Sequence, residues 1–90
     1  MKGSDGFPAG IPVYSYTSRK REEEIETRLV RDPAGRLDLY CRLTFRGEAE
    51  SVLLTDLGRR EEACVAFAET VAESHTHPRM LAELWEEFEA

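Results

Sequence analysis

RDPAGRLDLYCRLTF, Arg31 to Phe45, contains both a turn and a strand, and the rest of the chain can be placed from it. Leu37, Leu39, Cys41, Leu43 and Phe45 alternate strictly with Asp38, Tyr40, Arg42 and Thr44. Successive side chains of a strand point to opposite faces, so the alternation predicts a strand with one buried and one wet face. The turn lies just before it. Asp32 can accept hydrogen bonds at the first turn position, and Pro33 presets φ at the second. Gly35 tolerates the left-handed backbone that a type I turn with a G1 bulge requires. Such a turn sets Asp32 opposite Arg36. Counting away from it, Leu29 faces Leu39 and Ile25 faces Leu43 on the apolar side, while Glu26 faces Arg42 on the wet side.

On the far side of this strand, RGEAESVLLTD (Arg46 to Asp56) reads as the return strand of a second hairpin. A turn at Gly47-Glu48 pairs Leu43 with Val52 and Cys41 with Leu54. On the near side, IPVYSYTSRKREEEIETRLV (Ile11 to Val30) supplies a further strand turning near Lys20-Arg21, with its register open. Met1 to Gly10, MKGSDGFPAG, is rich in glycine and small residues and shows no period. Residues 1–10 are expected to be a disordered tail, and 11–90 a single domain.

After the strands the apolar period changes. Thr55 or Asp56 can cap a helix in which Leu57, Cys64, Phe67, Ala68 and Val71 recur at helical spacing up to His75. THPRMLAELWEEFEA, from Thr76 onward, opens a second helix. Thr76 or His77 serves as its cap, and Pro78 sits in the first turn, where the missing N–H has no partner anyway. The predicted fold class is α+β: a four-stranded antiparallel meander followed by two helices packed on one face.

Bulk properties narrow the function. The net charge is −6, and it is uneven. Met1 to Arg46 carries nine Lys/Arg against seven Asp/Glu, whereas Gly47 to Ala90 carries three against eleven. This balance disfavours nucleic acid, which is bound through phosphate neutralisation. No apolar run reaches membrane-spanning length, and no basic-then-apolar leader opens the chain. The expectation is a cytoplasmic protein with reduced thiols and no membrane partner.

Few constellations survive as chemistry. His75 and His77 with Cys41 and Cys64 make a zinc set by residue type. On one helix, however, Cys64 and His75 stand roughly 16 Å apart along the axis at 1.5 Å per residue. Cys41 falls mid-strand on the apolar face, where a thiol behaves as a small hydrophobe. No metal, no cofactor and no catalytic group is expected. His75 continues the apolar line of the first helix at its C-terminal end, where the helix dipole favours a protonated ring and burial opposes it. It is therefore a candidate pH-sensitive residue, the plainer reading being a satisfied helix-end histidine.

Two surfaces remain. Met80, Leu81, Leu84, Trp85 and Phe88 spread over about 140° of the last helix at 100° per residue, wider than packing on one partner requires. Met80, Leu84, Trp85 and Phe88 form the candidate interface for a protein partner or a second copy. The wet sheet face around Arg28, Tyr40 and Arg42 is the alternative, a platform for a small ligand or RNA.

From Val52 to the end the chain resembles a family of small uncharacterised bacterial proteins known only as a domain of unknown function. In that family strands lead into a helix start of the form I-T/S-x-D, and the chain closes on P-x-H-L-x-D-V-x-E-D-F. Thr55, Pro78, Leu81 and Phe88 carry the match, and Met80 stands where the family has histidine. The resemblance implies the same strands-then-helices order and brings no activity.

Overall fold

The computed structural model describes residues 10–89; the tail expected over 1–10, Gly10 apart, lies outside the described residues. Four strands come first: β1 (Ile11–Lys20), β2 (Glu23–Arg31), β3 (Leu37–Phe45) and β4 (Glu48–Leu54). They form one antiparallel sheet in the order β1-β2-β3-β4, so each strand pairs with its neighbour in sequence. Helix α1 (Glu61–Glu73), a 3-10 turn (Pro78–Met80) and helix α2 (Leu81–Glu89) follow. Among the described residues no helix is long and apolar enough to cross a membrane.

The central hairpin has the register read from its residues. Ile25 pairs with Leu43, Glu26 with Arg42 and Leu29 with Leu39. Its turn is held by Asp32, whose Oδ1 accepts from the Ala34 and Arg36 N–H groups at 2.9 and 2.8 Å. Gly35 takes the left-handed position with φ 88°. These N–H bonds, the Arg36 one foremost, hold the Asp32 carboxyl below its usual range.

The second hairpin slides by two residues from the expected pairing. Cys41 lies opposite Val52, Leu39 opposite Leu54, and Leu43 opposite Glu50. The loop is Arg46-Gly47, with φ of 52° and 83°. A two-residue I′ turn needs positive φ at both positions, and glycine suits the second; Gly47-Glu48 would have put glutamate there. A slip of two keeps every side chain on its face, so the core is unchanged. In the first hairpin the loop is Arg21-Glu22, since Lys20 pairs with Glu23.

The helices differ from expectation at their ends. Thr55 and Asp56 cap nothing: α1 starts at Glu61, with Arg60 at the cap position and no side-chain cap bond. Leu57 and Gly58 instead continue beside β3. Leu57 N–H donates to the Leu37 carbonyl at 2.8 Å, and Leu37 N–H donates to the Gly58 carbonyl at 2.9 Å. Asp56 and Gly58 have φ of 60° and 92°, which no helix tolerates. Leu57 is still buried, from a loop rather than a helix. Glu61 and Glu62 in the first turn of α1 complement its positive end. Before α2, His77 caps the 3-10 turn, accepting from Arg79 N–H at 3.3 Å, with Pro78 first in the turn as the sequence implied.

The core lies between the sheet and the helices. Ile25, Leu29, Leu37, Leu39 and Cys41 meet Cys64, Phe67, Ala68, Val71, Leu81 and Trp85. Leu43, expected deep in this layer, is only half-buried, because its neighbour across the sheet is Glu50.

Candidate functional site

The wide stripe of the last helix divides in two. Leu81 and Trp85 turn inward, Trp85 being 9% exposed. Met80 and Phe88 turn outward, 41% and 42% exposed, with half-buried Leu84 between them. Phe67 of α1 supports this arrangement. Its ring meets the Trp85 indole edge-on at 5.0 Å and the Phe88 ring at 5.3 Å. Trp85 and Phe88 stack at 5.9 Å. Between the helices runs an open groove of about 260 Å³, floored by Phe67, Val71, Leu84 and Phe88 and rimmed by Thr70 and Thr76. Trp85, one of the four candidate interface residues, thus serves as a footing for Phe88 and offers little surface itself.

The wet sheet face is different in character. Arg28 and Arg42 are exposed, but Tyr40 is 3% exposed and offers no ring on which a base could stack. Arg28 donates to Glu26 at 2.6 Å, and Arg19 pairs with Glu24. Basic and acidic groups alternate across the face, so it presents no field of one sign.

His75 stands just beyond α1. The helix closes in a Schellman motif: His75 N–H donates to the Ala72 carbonyl at 3.2 Å, and Thr76 N–H to the Val71 carbonyl at 3.1 Å. The position that His75 fills needs a left-handed backbone, here φ 51°, and usually takes glycine. Its side chain accounts for the histidine. Nδ1 lies 2.7 Å from Glu23 Oε1, Nε2 lies 3.0 Å from Ser18 Oγ, and the side chain is 6% exposed. A neutral ring satisfies both contacts, with Nδ1–H donating to the carboxylate and Nε2 accepting from the hydroxyl.

Carboxylate, imidazole and hydroxyl in a row invite a catalytic reading. The surroundings oppose it. The row sits at the carbonyl end of α1, whose partial negative charge would repel a developing oxyanion. What the row does mechanically is fasten the end of α1 to the β1–β2 hairpin. Ser18 and Glu23 were not evident as its members from sequence; the available signal was a histidine where a helix end usually has glycine.

The other chemistry-bearing groups stay apart. Cys41 and Cys64 are buried and form no disulfide, and burial pushes the Cys41 thiol up to about 12. His77 Nε2 lies 3.4 Å from Glu50 Oε2, away from His75. Among the described residues no three His, Cys, Asp or Glu side chains converge as metal ligands would. No family model, curated protein or solved structure matches the chain.

Proposed function

We propose that this protein is a non-catalytic interaction module of the cytoplasm, which binds a protein partner or a second copy of itself. The supporting observation is the divided stripe: Met80 and Phe88 face outward, and Phe88 with half-buried Leu84 lines a groove, on a base formed by Phe67 and Trp85. Exposed apolar side chains next to a concave floor are what an apolar anchor of a partner needs. The polar face is the weaker candidate, since Tyr40 is withdrawn and Arg28 is answered by the Glu26 carboxylate.

The test compares what is retained by the native protein and by Phe88→Glu, in sedimentation and in copurification, at low and high salt. Association through an apolar surface persists at high salt and is lost in the variant, while the fold, read by thermal melting, is kept. Association that salt abolishes and Phe88→Glu leaves intact would move the function to the charged surfaces.

A further inference from the structure

We infer that the free edge of β1 takes an added strand, and that this strand is β1 of a second copy, paired antiparallel about a two-fold axis at Thr17. The inference rests on reading the protein as an interaction module, but uses a surface separate from α2. Among the described residues β1 ends the sheet, so one row of its backbone N–H and C=O groups has no strand of them beside it. Edges are ordinarily guarded by charge, proline or shortness. β4, the opposite edge, follows that rule, with seven residues that include Glu48 and Glu50. β1 has ten residues; Pro12, the irregularity beside it, Arg19 and Lys20 guard its ends, while the stretch Val13 to Ser18 between them, VYSYTS, contains no charge, proline or glycine.

The register of such a pairing can be worked out. An irregularity between Pro12 and Tyr14 confines regular strand geometry to Tyr14 through Lys20, and Thr17 is the middle of that run. A two-fold there sets Thr17 against its own copy, Tyr16 against Ser18, and Tyr14 against Lys20. Opposite residues of an antiparallel pair share a face. Tyr14, Tyr16, Ser18 and Lys20 all lie on the helix side, opposite Leu29, Thr27, Ile25 and Glu23 of β2. The pairing is therefore consistent in its faces.

It is also complementary in charge. Lys20 is exposed and forms no ion pair among the described residues. Tyr14 donates its hydroxyl to Glu69 Oε2 of α1 at 2.7 Å. Each Lys20 would thus meet the Tyr14–Glu69 pair of the other copy, twice per dimer by symmetry. Arg19 would face Ser15, so no like charges are opposed. The basic end of β1 and the acidic flank of α1 fit a second copy better than they fit an acidic or a basic foreign strand.

The full chain is tested with Thr17→Cys under mild oxidation. Opposed Cα atoms lie ~4.5–5.5 Å apart in an antiparallel pair, within reach of a disulfide. The buried Cys41 and Cys64 do not interfere. A disulfide-linked dimer is expected from Thr17→Cys and none from Ser15→Cys, whose two copies would stand roughly 14 Å apart along the strands. In sedimentation, Lys20→Glu and Glu69→Lys should each weaken the dimer several-fold, and the two together should restore it. A wild-type chain that stays monomeric at every concentration overturns the inference, as does equal linkage through Ser15→Cys. A dimer dissociated by Phe88→Glu but not by Lys20→Glu also overturns it, and leaves the interaction surface of α2 standing.

Discussion

His75 keeps a left-handed backbone that glycine would adopt with less strain, roughly 1–2 kcal/mol less by the usual penalty for an L-residue. Its contacts with Glu23 and Ser18 offset that strain, because hydrogen bonds to a charged group contribute about 1.5–3 kcal/mol. Replacing it separates the two effects. His75→Ala keeps the strain and loses the contacts, so urea unfolding should show a loss of about 2–3 kcal/mol. His75→Gly loses the contacts but relieves the strain, and should fall between alanine and the native protein by about 1 kcal/mol. A glycine variant more stable than the native protein by the full strain would mean that the fastening to β1 and β2 contributes nothing.

Tyr14 makes a second residue-level statement. Its hydrogen bond to the Glu69 carboxylate, with burial and charge repulsion adding, raises the phenol from 10.0 to about 12. A raised acid is stabilised in its neutral form. The contribution is whole below pH 10 and lost as pH climbs through about 12. Ultraviolet titration should therefore show the Tyr14 phenol ionising late, and Glu69→Gln should bring it back toward the ordinary range. A late phenol that survives Glu69→Gln would assign the shift elsewhere.

Within β3 the neighbours decide what a leucine contributes. Leu39 sits between Leu29 and Leu54 and is fully buried, whereas Leu43 sits between Ile25 and Glu50 and is half-buried. Leu39→Ala should cost about 2–5 kcal/mol, and Leu43→Ala distinctly less. Equal losses would show that the register between β3 and β4 is not the one described. The same strand shows what was legible beforehand. Its alternation and the Asp32–Gly35 turn were enough to place β2 against β3, because period and turn chemistry constrain each other. The alternation puts β4 on its observed face but two residues off, since a single glycine fits either of two loops and only φ distinguishes them. The start of α1 was hidden for another reason. Leu57 is apolar at helical spacing, yet its backbone bonds to Leu37 across the sheet, a long-range contact that local pattern does not contain. Met80, Leu84 and Phe88 are legible in the sequence as an apolar excess, and Trp85 falls among them because period alone cannot say which side of a stripe faces the core.

The folded chain is a slab, 37 × 37 × 18 Å, with the sheet as one layer and the helices as the other. Its stability should not depend on metal: treatment with a chelator is expected to leave the thermal midpoint unmoved, where loss of a structural ion would lower it by many degrees. The order of the layers along the chain has a further consequence during synthesis. The sheet is encoded first, each strand finding its partner among residues only just made, so pairing can begin while the chain leaves the ribosome. Its cover is encoded last. Until Phe67, Leu81 and Trp85 have emerged, the apolar face of Ile25, Leu29 and Leu39 has nothing to lie against, the kind of exposed surface on which chaperones act. Stalled chains with residues only to Glu73 outside the ribosome should bind such a chaperone, and those with Phe88 outside it should release it.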